Sequence, residues 1–408
     1  MLEKLDEIEW GQLEYGHGYA EHVPKLLRSL LSADPKTSKD TLEDMWDSLC
    51  HQGSNAEAAG YTAPFLVELL KVDLVQNKDI ILGLLSTIDY GTGTRHWNES
   101  AKLGHDAFLE GFPTYLSLLD DQNPQTVKAA INILTSAHFG VHHNTIISAF
   151  EKRWQHANPN VRARYLWGLE QLIFVHHHTF SADRLEGYRQ LFQTAETVGQ
   201  PHQVRLAAIF AMIKVFGGEL SETAAEVLVN TVVTPLMSDQ QIPRVWHRVG
   251  AILDILYRLT IRQSVPIFAE ILARIDDPHY ARKAAVTLLD RALKNDRESD
   301  YIGKRMTQPK RSRLDQVLKN VRSRTGKYMG TSLPEPEQVR ALVFPKSDDI
   351  SDIRQLTPLQ RQAIRAVLDA KAVWAAPNNL LEMYGLPASP DEVRRLLDTV
   401  DSGPNDTG

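Results

Sequence analysis

The chain of 408 residues contains a single cysteine, Cys50. It can form no intrachain disulfide and no cysteine-rich zinc site, and its helical neighbour His51 cannot face it as the base of a nucleophilic pair. Cys50 therefore reads as a small core residue, in a chain expected to occupy a reducing compartment. Long apolar runs are missing too. Leu206 to Ile213 comes nearest, far short of the ~18 residues that read as a membrane span. The N-terminal stretch Met1 to Trp10 is acidic and lacks the basic and apolar regions of a secretory signal, so a cytoplasmic location is expected. A formal net charge of −6 supplies no global attraction to nucleic acid or acidic membranes.

Catalytic signatures are equally scarce. There is no Gly-x-Ser-x-Gly elbow and no His-Glu-x-x-His zinc motif. The glycines of Tyr90 to Glu99 fit neither a dinucleotide fingerprint nor a phosphate loop, since Gly-Lys-Ser/Thr is absent and no strand precedes them. Strand signals are almost absent: Val229 to Val233 is locally β-prone, but it sits where the repeat described below requires a helix.

What is present is helical periodicity. A hydrophobic share of 43% and a charged share of 24% exclude disorder of the whole chain. Single cores stop growing at about 250 to 300 residues, so this chain must split into domains or extend as an array. Two helical hairpins in tandem occupy Ala20 to Gly91, the first turning at Asp34-Pro35 and the second at Gln76 to Asp79. Turn prolines then recur at Pro124, Pro159, Pro201, Pro243 and Pro278, at intervals of 35, 42, 42 and 35 residues. That is close to the period of HEAT or armadillo repeats. After Pro266, residues Ile267, Phe268, Ile271, Leu272 and Ile275 form one apolar stripe; after Pro278, Ala284, Ala285, Leu288, Leu289 and Ala292 form its partner. Two short helices cannot bury such stripes alone, whereas a stack of hairpins can. The spacing predicts an all-α, right-handed HEAT-like solenoid of about seven helical pairs over residues 1–295.

The repeats stop near Lys294. Residues 296–355 read as a basic, proline-containing linker with one short helix around Leu314, Val317, Leu318 and Val321. Its cations are Lys304, Arg305, Lys310, Arg311, Arg313, Lys319, Arg322, Arg324 and Lys327, a candidate polyanion-binding segment. The same residues also suit a solvated linker, or docking onto the acidic first repeats of another chain. Residues 356–401 read as a C-terminal helical module. It is introduced by the capping box Thr357-Pro358-Leu359-Gln360 and by Ser389-Pro390-Asp391-Glu392. A polar tail, 402–408, follows.

Candidate site residues follow from the array. The second helix of each pair lines one face, which would present Lys39, Glu43, Asp47, Lys128, Asn132, Arg205, Arg244, Arg248 and Arg282 to a partner. The loop residues Arg95, His96 and Trp97 carry side chains favoured at binding hot spots. A basic residue follows each turn, as in Lys128, Arg162, Arg205 and Arg282, and reads as one half of an Arg/Asp ladder along the stack or as a phosphate-binding row. His51-Gln52-Gly53 reads as a helix C-terminus, Gly53 taking the left-handed position, with His51 and Gln52 as alternative rim contacts. His138 and His142 have i, i+4 spacing, but Gly140 interrupts the helix, and His176 to His178 point in different directions. No metal, cofactor or catalytic residue is expected.

Two blocks carry a family resemblance. Trp10, Tyr15-Gly16, Val23-Pro24, Leu26-Leu27, His51-Gln52-Gly53 and Ala63-Pro64-Phe65-Leu66, with Leu356-Thr357-Pro358, Gln360-Arg361, Trp374 and Tyr384-Gly385-Leu386-Pro387, resemble bacterial HEAT repeat-containing proteins. The resemblance implies a non-enzymatic protein-binding scaffold, in some similar proteins an immunity partner of a toxin, and it supplies no catalytic residues. A nucleic-acid reading stands beside it, on the pattern of HEAT-like alkylpurine DNA glycosylases, with Arg162, Arg205, Arg244, Arg248 and Arg282 lining a groove and Trp167 and Trp246 as its aromatics. A HEAT-like lyase acting on a bilin cofactor is a third.

Overall fold

A computed structural model describes residues 2–16, 18–32, 34–51, 54–92, 99–217, 220–234, 249–293, 353, 356–375 and 379–402. The chain is mostly helical and divides into two compact units, Met1–Leu191 and Phe192–Gly408.

In the first unit the helices are α1 (Val23–Ser29), α2 (Pro35–Leu49), α3 (Glu57–Leu70), α4 (Lys78–Thr92), α5 (Glu99–Glu110), α6 (Phe112–Ser117), α7 (Pro124–Leu134), α8 (His143–Arg153) and α9 (Pro159–His176). The helix α10 (Ala182–Glu196) crosses the boundary. The turn prolines act at the first helical position, where a missing N–H costs nothing, and the residue before each supplies the cap. Asp34 accepts from the backbone N–H of Thr37 at 3.0 Å, Asn123 from Gln125 at 2.9 Å and Asn158 from Val161 at 3.1 Å. Such caps contribute about 1 kcal/mol each and fix where the second helices begin. Packing then sets the order: α2 lies against α4, α4 against α7, and α7 against α9, while α3 and α5 pack on one another. The α3–α5 contact is made at backbone distance. A Cβ on Gly60 would stand 1.8 Å from the Ser100 carbonyl oxygen, and one on Gly104 would stand 3.3 Å from the Cα of Gly60. Phe108, Tyr115, Phe139, Phe150 and Tyr165 fill the interior and are essentially inaccessible.

The expected helix terminus at His51-Gln52-Gly53 is corrected. Helix α2 ends at Leu49, because Cys50 leaves the helical region at φ −131°, ψ 72°. Strand β3 (Cys50–His51) then pairs antiparallel with β4 (Ser54–Asn55), and the Ala56 N–H closes the ribbon on the Leu49 carbonyl at 2.8 Å. A similar ribbon, β1 (Glu14–Tyr15) with β2 (Gly18–Tyr19), precedes α1. Both are two residues long, too short to carry the hydrophobic alternation by which strands are read.

The second unit contains α11 (His202–Ala211), a π-helical turn (Met212–Phe216) closed by Gly217 at φ 57°, α12 (Glu222–Val233), α13 (Val249–Leu256), α14 (Ile261–Arg274), α15 (Pro278–Leu293), α16 (Pro358–Asp369) and α17 (Pro390–Asp401). The β-prone Val229 to Val233 is helical, as expected, and forms the last part of α12. The Thr357/Gln360 capping box forms with both of its hydrogen bonds, and Ser389 caps α17. The C-terminal module is anchored on the last hairpin. Gln360 Nε2 donates to the Ala292 carbonyl at 3.0 Å, and the Tyr384 hydroxyl lies 3.1 Å from the Val286 carbonyl and 2.9 Å from Asp290. Arg365 joins α16 to α17 through Asp398 at 2.9 Å and Asp401 at 2.8 Å. Among the described residues no helix is long and apolar enough to cross a membrane.

Candidate binding face and histidine–carboxylate cluster

The second helices of the first unit leave narrow solvent-facing stripes. Asn160, Arg164, Trp167 and Gln171 form the stripe of α9, at i, i+4, i+7 and i+11, the helical period. Lys128 and Asn132 lie on α7, and Asp79 and Gly83 on α4. The stripes adjoin. The Lys128 ammonium is held below its usual range by burial and by the Arg164 guanidinium, against the opposing pull of Asp79. A row of charges thus crosses three helices, Asp79, Lys128 and Arg164.

Arg164 is the unusual member. Its Nε and Nη1 are buried and have no hydrogen-bond partner among the described residues, and burial pushes its pKa down to about 10. The guanidinium carbon stands 4.7 Å from the ring centre of Trp167, a cation–π contact worth about 1 kcal/mol. That contact offsets only part of the desolvation of a charge lacking two hydrogen bonds, a cost on the order of 1–3 kcal/mol. Both donors are inaccessible in the free protein, so a carboxylate or phosphate oxygen at the stripe would satisfy them, together with the neighbouring ammonium, once the guanidinium turned outward.

The sequence-predicted residues are distributed as follows. Lys39, Glu43 and Asp47 are exposed on α2, where Lys39 and Glu43 form a 3.5 Å ion pair. Lys128 and Asn132 belong to the face just described. Arg205 and Arg282 lie in the second unit. Arg282 is exposed on α15, and Arg205 donates to the carbonyl of Glu196, the last residue of α10, at 2.9 Å, a backbone bond rather than a rung of an aspartate ladder. Asp120, one of the two aspartates that precede the Pro124 turn, is taken by Arg153 on α8 through two 2.7 Å hydrogen bonds. The pair walls a cleft of about 400 Å³ at the N-termini of α7 and α9. Arg95, His96, Trp97, Arg244, Trp246, Arg248 and the nine cations from Lys304 to Lys327 lie outside the described residues. Cys50 is 9% exposed and burial pushes its thiol up to about 12. Native protein is therefore expected to resist iodoacetamide at pH 8 and to react fully in urea; rapid native labelling, followed by mass spectrometry, would contradict a buried thiol.

A second cluster carries no sequence motif. Asp89 near the end of α4, His105 on α5 and His138 in the 3₁₀ turn Ala137–His142 converge, with candidate ligand atoms within 4.8 Å of one another. His105 Nδ1 lies 2.7 Å from one carboxylate oxygen of Asp89, and His138 Nε2 lies 3.0 Å from the other. The i, i+4 pairing of His138 with His142 does not form. The 3₁₀ turn separates the two rings, and His142 stacks on Phe112 at 4.3 Å. His143 and His176 stack at 4.3 Å, and the run His176 to His178 ends α9, as expected.

No family model and no curated protein matches the chain. Among solved structures it is similar to the crystal structure of an engineered protein, at 18% identity over 93% of this chain and 99% of that one. The TM-score is 0.25, too low to define a shared fold.

Proposed function

We propose that the chain is a right-handed HEAT-like solenoid of the kind found in bacterial HEAT repeat-containing proteins, and that it acts in the cytoplasm as a non-enzymatic scaffold. Its first unit grips an acidic segment of a partner protein on the α4–α7–α9 face. The observation carrying this reading is Arg164: a charge held at a solvent-facing stripe with two buried donors unused, beside a second cation and over an indole. A free protein tolerates such a group at a cost in stability, and a bound anion recovers it. The side chain is also of a type favoured at hot spots, where a few buried Trp, Tyr and Arg residues supply most of the affinity. An immunity-type interaction with a toxin is the narrower form of the proposal and rests on the family resemblance.

Capture of partners by the tagged chain from native lysate, with and without nuclease and read by mass spectrometry, tests it. One dominant protein in both samples is the expected result. Loss of all captured material on nuclease treatment would replace this reading with binding of a nucleic-acid backbone by the same cations, which falls steeply with salt.

A further inference from the structure

The Asp89–His105–His138 cluster has a second chemistry available beyond a hydrogen-bonded relay. Each oxygen of one carboxylate meets one imidazole nitrogen, at 2.7 and 3.0 Å. Zinc holds His nitrogen at about 2.0–2.1 Å and carboxylate oxygen at about 2.0–2.2 Å, so ligand atoms around one ion are about 3–3.5 Å apart. The observed 2.7 and 3.0 Å are hydrogen-bonding distances at the short edge of that range, and with all the ligand atoms within 4.8 Å of one another an ion requires only that the side chains shift apart. The ligand set is two imidazoles and one carboxylate, which favours first-row divalent transition metals over calcium or magnesium. Neither ring has to lose a proton when neutral: each moves its N–H to the other ring nitrogen and offers the freed lone pair to the ion.

The surroundings favour a cation as well. Burial is graded: the Asp89 side chain is 5% exposed, His105 20% and His138 43%, so the anionic ligand lies inside and the outermost imidazole opens toward solvent. His138 is braced by the edge of the His105 ring at 5.2 Å and by Phe108 at 6.0 Å, which limits its rotamers before any ion arrives. A further polar group points to a ligand. Tyr115 is fully buried, its hydroxyl has no hydrogen-bond partner among the described residues, and burial, with Asp89 within electrostatic reach, pushes the phenol up. Water carried by an ion at Asp89 is a partner of the right chemistry for that hydroxyl.

We propose that Asp89, His105 and His138 form a mononuclear zinc site in the first unit, with three protein ligands from three separate segments and a remaining position open to water or an anionic ligand. Three-ligand sites keep such a position, whereas structural zinc sites are closed by four. The proposal is independent of the α4–α7–α9 face.

Isothermal titration of zinc chloride into the full chelator-treated chain tests the site. One equivalent should bind with a dissociation constant in the low micromolar range or tighter, and cobalt(II) added instead should show visible absorption from nitrogen and oxygen ligation. His138→Ala, at the exposed end of the cluster, should retain the far-ultraviolet circular dichroism of the parent and lose about 100-fold or more in affinity, with loss of the cobalt bands. Asp89→Asn, which keeps the side-chain shape, should act alike. The double variant His143→Ala/His176→Ala, at the stacked pair elsewhere, should bind as the parent does. Absence of saturable binding, an unchanged isotherm in His138→Ala, or loss of binding only in the His143/His176 variant would overturn the assignment.

Discussion

Gly60→Ala is expected to destabilise the first unit by ~3 kcal/mol or more, an unusually large effect for the addition of one methyl group. The new Cβ would sit 1.8 Å from the Ser100 carbonyl oxygen and 2.5 Å from its carbonyl carbon. Both are backbone atoms of α5, so no rotamer change relieves the contact and the two helices must separate. Separation exposes Ala58, Ala59 and Ala63 of α3 and Ala107 and Phe108 of α5. Helix propensity alone works the other way, favouring Ala over Gly by about 1 kcal/mol. Gly187→Ala on α10, where nothing lies within 4 Å of the added atom, isolates that opposite term and should raise stability by about 0.5–1 kcal/mol. Urea unfolding of both variants separates the effects. A Gly60→Ala midpoint equal to that of the parent would contradict the backbone-distance packing of α3 on α5.

Arg164→Met is expected to stabilise the free protein by on the order of 1–2 kcal/mol, where most substitutions at half-buried positions destabilise. A cation whose pKa is lower folded than unfolded is penalised on folding. The penalty applies in full at every pH below the folded value of about 10, and it disappears only above the unfolded value. At neutral pH the whole of it is therefore present. Methionine keeps the long unbranched stem and its contact with Trp167 while removing the charge and the two unused donors. Lost cation–π attraction reduces the gain by about 1 kcal/mol, which is why the net value is small. The melting temperature at pH 7 should rise by a few degrees; a fall would mean that Arg164 already has its charge satisfied in the free protein.

The turn prolines make much of the fold legible, because Pro35, Pro124, Pro159 and Pro278 each open a helix and the Asp or Asn before them caps it. Thr357 and Gln360 are legible for the same reason: capping is local, and four residues contain all of it. The break after Leu49 is not, since His51-Gln52-Gly53 satisfies the rules for a helix end and only the pairing of Cys50 with Asn55 distinguishes a ribbon. The proposed α4–α7–α9 face is half visible. Lys128 and Asn132 fall on the solvent-facing stripe of α7, where their spacing puts them, but the basic residue that the turn pattern picks out on α9 is Arg162. Arg164, two positions on and about 200° around the helix, shares the solvent stripe with Trp167. Its significance arises only when α7 is laid beside α9 and brings Lys128 next to it. Asp89, His105 and His138 are beyond the reach of spacing altogether. They occupy two helices and a 3₁₀ turn and converge because α4, α5 and that turn share one aromatic core.

The partner-capture experiment repeated with the parent and Arg164→Met side by side tests the central claim most directly, because stability and binding are expected to move in opposite directions. A variant that melts no lower than the parent and yet loses the captured protein by tenfold or more in recovery places the partner's anion at Arg164. A variant that melts as expected and recovers the same protein in the same amount would show that the α4–α7–α9 face does not hold the partner.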